Sequence, residues 1–388
     1  MENTKDRVVI SFLAVVATTW AAAAAALDMV VHPYMNYPTQ ESIVVRWETD
    51  TAASSEVHWG RKLPLEKTTT TDGMHTYHEV TLTGLNSGTP YFYQVASRDA
   101  GGAEVESEVY TFSTAPERDD AFGFAVLCDT QSNPKAVRTL AEHAYAQRPA
   151  FTLLGGDLVS EGTNKFHWTR HFFPNMAPLN SRVPLVPTLG NHERDADYFY
   201  EYFTLPEPEY YYQFNYGNLA VFLVDSQKPF TRSGEIYPWL DKALAESDAT
   251  WKIVMHHKPP YSSDEDDYGN TYEGPSVMGD FNARMLVPLY EKHGVDIVWS
   301  GHIHTYERTW PLKNNKAVSA DEGILYMITG GGGGGLENAA PVRTPLSAKV
   351  YRGHHYCYVM VNGNTLRIEA YDLDDRLFDW VELEKNTN

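Results

Sequence analysis

The chain has 388 residues, 43% of them apolar and 13% aromatic. That length suits one large or two moderate domains, and that composition excludes a disordered polymer. A net charge of −20 excludes nucleic acid as a bound partner, since phosphate backbones are held by Lys and Arg. It leaves a small anionic substrate open, because bound cations would dominate the local field.

The N-terminus reads as a secretory signal over residues 1–26. Lys5 and Arg7 precede an apolar stretch, 8–20, and Ala24-Ala25-Ala26 offers a small-residue cleavage site. The competing reading is a membrane anchor, since 8–27 is about long enough to span a bilayer. The crowding of small residues at its end and Asp28 after it favour a signal. The expectation is a secreted, periplasmic or extracellular protein with no stable membrane span after signal removal.

Residues 27–116 read as an all-β module. Alternating strands are predicted at 43–47, 55–59, 78–82, 91–95 and 109–112, separated by turn-rich spacers. From 120 to 388, apolar strands alternate with helix candidates. The segment 135–147 puts Val137, Leu140, Ala141 and Ala144 on one face. The segment 280–293 opens on an Asp cap, turns Met285, Leu286, Leu289 and Tyr290 inward, and carries Pro288 as a kink. Late strands at 324–329, 356–361, 366–371 and 378–383 suggest a second sheet. The aromatic run 198–216 reads as packing of a loop and strand, with a cleft wall as the alternative. Gly330 to Gly335 are six consecutive glycines, read as a tight turn that passes close to a site. Cys128 and Cys357 sit inside apolar runs, where a thiol acts as a small buried hydrophobe.

Five apolar runs in this second region end in polar signatures: Asp129, Gly156-Asp157, Gly190-Asn191-His192-Glu193, His257, and Gly301-His302-Ile303-His304. In open α/β sheets, ligands collect at the carboxyl ends of strands. Two carboxylates, one amide and three imidazoles would then converge. That donor set suits zinc, manganese or iron and exceeds what one tetrahedral ion needs, so two ions are expected.

The ordered series resembles the dinuclear metallophosphoesterases of the calcineurin-like superfamily, and the run from Gly301 to Thr309 resembles the purple acid phosphatases. The segment 82–91, leading into a Tyr-x-Tyr strand, resembles the tyrosine corner of fibronectin type III domains, and Trp47 their core tryptophan. The resemblance implies an α/β fold, a two-sheet β-sandwich flanked by helices, behind a small all-β fibronectin type III-like sandwich. It also implies two divalent or mixed-valence metal ions. Asp157 would bridge them as a catalytic ligand, Asp129 and His304 would complete the first site, and Asn191, His257 and His302 the second. Splitting His302 from His304 suits extended geometry, in which i and i+2 project alike. His256 is the rival of His257, and the family pattern Val-x-x-His favours His257.

By the same resemblance the enzyme is a metal-dependent phosphoric ester hydrolase with a metal-bridging hydroxide as nucleophile, and His192 protonates the leaving group. Glu193 is expected to orient His192, and Glu307 and Arg308 to support the ligands from behind. Gln131, Ser160 and Arg194 are candidates for a contact with metal or substrate. Two positions depart from the purple acid phosphatase pattern: Gln131 stands where the first motif has Gly, and Ser160 where the second has Tyr. Without that tyrosinate the protein is expected to be colourless, and the first site to favour manganese, zinc or ferrous iron. The stretch 264–273 lacks the family's substrate-side histidines. The substrate is a small phosphate or sulfate ester, with phosphomonoesterase ahead of phosphodiesterase, pyrophosphatase or sulfatase. A non-catalytic extracellular binding protein is the alternative from a different class.

Overall fold

The computed structural model describes residues 26–263, 279–338 and 344–386. All but the last residue of the expected signal, and the whole of the stretch 264–273, lie outside them. No helix among the described residues is long and apolar enough to cross a membrane.

The N-terminal module is built from β1 (Met29–Asn36), β2 (Ser42–Gly60), β3 (Lys67–Thr83), β4 (Pro90–Arg98), β5 (Glu104–Glu106) and β6 (Tyr110–Ser113). The strands predicted at 43–47 and 55–59 are one strand, β2. A register break around Ala53 bends it without ending it, and only Asp50, Thr51 and Ala52 protrude into solvent. Its second half alternates buried and half-buried residues, while 43–49 are buried throughout, the mark of a strand covered on both faces. Trp47 is 1% exposed, donates Nε1–H to Ser97 Oγ at 2.9 Å and stacks on His78 at 4.7 Å. The Tyr91 hydroxyl accepts the Asn86 N–H at 2.9 Å, a tie back to backbone just upstream as in a tyrosine corner.

The second region opens with β7 (Phe122–Leu127), α1 (Pro134–Ala146), β8 (Thr152–Leu154), α2 (Phe173–Asn180), β9 (Leu185–Pro187) and α3 (Asp197–Tyr202). There follow β10 (Tyr211–Tyr216), β11 (Leu219–Val224), α4 (Ile236–Glu246), β12 (Trp251–Met255), α5 (Phe281–Arg284), α6 (Val287–His293), β13 (Ile297–Ser300) and β14 (Tyr306–Thr309). A short hairpin, β15 (Leu312–Lys313) and β16 (Lys316–Ala317), precedes β17 (Leu325–Thr329) and β18 (Ser347–Tyr351). The described chain closes with β19 (His355–Asn362), β20 (Thr365–Asp372) and β21 (Leu377–Glu384).

Two sheets face each other. One runs β21-β20-β19-β7-β8-β9-β1-β2-β4-β5, so the N-terminal module continues it through β1 beside β9; the other runs β10-β11-β12-β13-β17-β14-β18. The late strands do not form a sheet of their own. β17 inserts beside β13, whereas β19, β20 and β21 extend the first sheet from β7. In β11, Leu219, Val221 and Leu223 enter the core between the sheets, and Ala220, Phe222 and Val224 pack against α4 and α6. Burial on both faces explains why this strand reads as an unbroken apolar run. Each of its Leu, Val and Phe side chains, fully buried, contributes roughly 2 kcal/mol.

Asn133 caps α1 by accepting from Ala136 N–H, and Val137, Leu140, Ala141 and Ala144 form its buried face as expected. The segment 280–293 is two short helices. Asp280 caps α5, the chain breaks at Met285-Leu286, and Pro288 occupies the first turn of α6, where its missing N–H is harmless. The break turns Met285 out to 43% exposure while Leu286 stays buried. Cys128 and Cys357 are both buried and free. The aromatic run serves packing: Tyr202 and Tyr212 are core residues, and Tyr212 donates to the Pro187 carbonyl.

Candidate metal centre

Parallel pairing of β7-β8-β9 and of β11-β12-β13-β17 puts the loops after these strands at one end of the sandwich. Asp129 follows β7, Asp157 follows β8, Asn191 follows β9, His257 follows β12, and His302 and His304 follow β13. Ligand atoms of Asp157, His257 and His302 all lie within 4.8 Å of one another. Asp129 Oδ1 is 3.5 Å from His304 Nε2 and 3.9 Å from His257 Nε2. His257 Nε2 stands 3.0 Å from Asp157 Oδ2 but lacks the alignment of a hydrogen bond. Asn191 Oδ1 is buried with no partner at all. Buried polar atoms without partners are costly, and a cation facing both would satisfy them.

The imidazoles are held from behind. His257 Nδ1 donates to the Gly155 carbonyl at 2.8 Å and His304 Nδ1 to that of Gly335 at 2.7 Å. A carbonyl only accepts, so each Nδ1 carries a proton, and each Nε2 is the atom turned to the cluster, where a bound metal would replace the second proton. Glu337 accepts the His304 N–H at 2.8 Å, a support with no signal in the sequence. Asp129, Asp157 and His302 adopt φ of 58°, 53° and 71°. Such left-handed backbone is costly for non-glycine residues and gathers at functional sites.

Glycines let the loops close. A Cβ on Gly190 would lie 2.2 Å from Asp157 Oδ1, one on Gly301 2.3 Å from Asp129 Oδ2, and one on Gly334 2.6 Å from the His304 ring. The glycine run passes over the site as expected, with Gly332 and Gly334 donating to the carbonyls of Cys128 and Asp129 at 3.0 and 2.9 Å.

Charge follows geometry. Burial opposes a proton on His257, but the adjacent Asp157 and Asp129 carboxylates outweigh it and lift the imidazole to about 10. His304 rises to about 9, burial again being overcome by Asp129. Burial works to raise Asp157, and the His257 charge drives it down to about 2. His302 falls to about 3 through burial and the His257 charge. Protons thus collect where the carboxylates demand positive charge.

The calcineurin-like phosphoesterase family matches residues 122–306, and the purple acid phosphatase N-terminal domain matches residues 30–114. This chain joins those two domains. Purple acid phosphatase 21 of Arabidopsis thaliana is 30% identical over 66% of this chain and 58% of its own length. The probable inactive purple acid phosphatase 27 of the same plant is 24% identical over 58% of this chain and 40% of its own length. The chain therefore spans less than two thirds of either relative. The purple acid phosphatase PPD1 of yellow lupin (Lupinus luteus) superposes with a TM-score of 0.81 at 22% identity, over 92% of this chain and 74% of that one, which shows a shared fold.

Beside this cluster, the His192 side chain is 39% exposed, its Nε2 lies 3.9 Å from Asp157 Oδ2, and its Nδ1 donates to the Ser160 carbonyl at 2.8 Å. Glu193 does not orient it. The Glu193 carboxylate turns inward and accepts the N–H groups of Asp157, Leu158 and Gly190 at 2.8, 2.7 and 2.6 Å, fixing the turn that presents Asp157. Ser160 lends its carbonyl to His192, while its hydroxyl accepts the Ser132 N–H at 3.2 Å. Gln131, with its amide turned to satisfy both ends, donates to the Asp129 and Asp157 carbonyls at 3.1 and 2.8 Å and points Oε1 at His304 Nε2, 3.1 Å away.

Arg194 is exposed and pairs with Glu161 at 2.8 Å. Arg308 does not support the ligands: it forks onto Asp379 of β21 at 2.7 and 3.0 Å and joins the two sheets. Glu307 accepts the Ser263 N–H at 2.8 Å and the Ser347 hydroxyl, anchoring the segment after His257. Asp225, buried at the carboxyl end of β11 and pushed up to about 6 by burial, is a further strand-end acid outside the six expected ligands, and Leu223-Val224-Asp225 repeats the strand-then-acid pattern of the other signatures.

Proposed function

We propose that this chain is a secreted, metal-dependent hydrolase of phosphate esters, acting first on monoesters. The observation that carries the reading is the convergence of the Asp157, His257 and His302 ligand atoms, joined by Asp129 and His304, with the buried and partnerless Asn191 Oδ1 one residue before the His192 N–H that binds Asp157. Asp157 would serve two ions, Asp129 and His304 one of them, and Asn191, His257 and His302 the other. Gln131 Oε1, already facing His304 Nε2, would add a neutral amide oxygen at the first position. The bound pair would supply an acidified water and neutralise charge on the phosphate.

The chain's own groups do the rest. With Nδ1 tied to Ser160, His192 keeps Nε2 beside the cluster, 3.9 Å from Asp157 Oδ2, so its imidazolium form has one proton to give to a departing alkoxide there. Glu193 keeps the Asp157 turn rigid through three N–H groups. In this reading residues 27–116 form a fibronectin type III-like domain and 120–388 the catalytic domain, after a signal over 1–26. The relative named as probably inactive makes a non-catalytic protein the alternative, and the complete donor set with His192 beside it argues against that alternative.

A titration of metal-stripped protein with zinc, manganese and ferrous iron, read on a chromogenic aryl phosphate, tests the proposal. Turnover restored as about two ions bind per chain is expected. No metal-dependent turnover on any phosphate or sulfate ester would overturn it.

A further inference from the structure

A buried carboxylate of the N-terminal domain reaches both chain segments that hold His192. Glu48, on β2, is 2% exposed. Its Oε1 lies 2.5 Å from Lys165 Nζ, and its Oε2 accepts from the Tyr202 hydroxyl at 2.8 Å. Lys165 Nζ also stands 4.7 Å over the Tyr77 ring, whose edge meets Tyr202 at 5.3 Å. A carboxylate so buried is tolerated only when paired and hydrogen-bonded, and both of its partners belong to the other domain.

Lys165 and Tyr202 lie on opposite sides of His192 in the chain. Lys165 belongs to the loop 160–166, which grips the histidine turn at three points. The Ser160 carbonyl accepts a hydrogen bond from His192 Nδ1–H, Gly162 N–H donates to the His192 carbonyl at 2.8 Å, and Glu161 pairs with Arg194. Tyr202 closes α3, which follows directly from the turn in which Ala196 N–H donates to the Glu193 carbonyl at 3.1 Å. There is no slack between loop and turn: a Cβ on Gly162 would lie 2.1 Å from the Glu193 carbonyl oxygen. Close-packed contacts of this kind transmit a shift from one segment to the other. Arg46 reinforces the same seam by pairing with Glu79 at 2.7 Å and reaching the Glu201 carbonyl and the Thr204 hydroxyl.

We infer that Glu48 is a positioning residue for His192, so that the N-terminal domain is part of the device that aims the proton donor. The inference rests on the reading of His192 given above. A carboxylate that only docked the two domains would affect stability and leave the preference among leaving groups untouched.

Glu48→Gln and Lys165→Met, compared with the wild type as metal-loaded full chains on an alkyl phosphate and on nitrophenyl phosphate, separate the two. Lys165 is 39% exposed in its side chain, so Lys165→Met is the milder variant and answers the question if Glu48→Gln does not fold. For the alkyl ester kcat should fall about tenfold with KM and metal content unchanged, while the nitrophenyl rate stays within about twofold, because that leaving group needs little protonation. In a His192→Ala background, Glu48→Gln should cost nothing further. Equal losses on both esters, no loss on either, or an added loss on top of His192→Ala would overturn the inference.

If the wild type turns over no ester, the functional reading has failed on its own, and 15N NMR of the His192 ring decides this one. A hydrogen-bonded Nδ1 signal that broadens or shifts in Glu48→Gln supports the positioning role, and an unchanged signal overturns it.

Discussion

Asp129, Asp157 and His302 pay for their left-handed backbone with nothing local, since none is a glycine. What holds them is the surrounding lattice of N–H groups, including His192 N–H on Asp157 Oδ1 at 2.8 Å and His302 N–H on Asp129 at 3.0 Å. Asp157→Ala should therefore abolish turnover and strip bound metal, read by elemental analysis; two ions retained at near-normal rate would show that Asp157 is not shared between them. His192→Ala should keep both ions and slow turnover about 100-fold or more, with a larger loss on alkyl than on nitrophenyl esters. An equal loss on both would make His192 a binder of substrate rather than its proton donor. At Ser160 the hydroxyl is engaged by Ser132, so no phenolate-like donor stands there. The protein as purified should be colourless, and a strong visible band with stoichiometric iron would mean that another tyrosine reaches the metal. These ligand residues were legible in the sequence because each ends an apolar run. Glu193 was misread because adjacency to His192 says nothing about which way a carboxylate turns.

Among the elements, the glycine run after β17 packs directly on the loops that carry the ligands. Gly332 and Gly334 pass within contact of Cys128 and His304, whereas a Cβ on Gly335 would meet nothing within 4 Å. Gly334→Ala should push the His304 ring aside and weaken metal retention about tenfold or more, the usual scale for disturbing a ligand's support. Gly335→Ala is the control and should retain metal as the wild type does. Dialysis against a chelator followed by metal analysis reads both, and equal retention would show that the run tolerates a side chain at His304. Helix α1 was predictable from its periodic face and cap. The break between α5 and α6 was visible only as Pro288; that it turns Met285 outward follows from where the second sheet lies.

At the scale of the molecule, the buried histidines set a limit on acid tolerance. His78 is 0% exposed, bonded to Thr49 and Ser55 at 2.8 Å each, and burial lowers it to about 4. His355, equally buried, is lowered to about 4 by the same cause. A folded-state value below the unfolded one means that the unfolded chain binds more protons between the two. Stability from these groups is therefore complete above about 6.5 and is lost as pH falls toward 4, at up to about 1.4 kcal/mol per pH unit for each. Denaturant midpoints measured from pH 7 to 4 should fall across that window, and His78→Gln should flatten the slope; a flat profile in the wild type would refute the assignment. Deleting residues 28–115 removes no ligand, yet it uncovers Phe173 and Phe203, which pack on Tyr34, and Tyr212, which packs on Tyr37. The fragment should aggregate or melt earlier, and a soluble fragment as stable as the full chain would show that the domains are independent.

By itself the sequence determined the alternation of strands and helices, the all-β module before the α/β region, and the donor types at the strand ends, because periodicity and local turn chemistry are written residue by residue. Only the tertiary structure decided that 43–47 and 55–59 are one strand, that β17 and β19 part company into different sheets, and that Arg308 serves Asp379. It alone brought Glu48 to Lys165 and Tyr202. Most of those outcomes depend on which surfaces meet across long stretches of chain, 71 residues from Arg308 to Asp379 and 154 from Glu48 to Tyr202, and packing between distant segments leaves no local pattern to read.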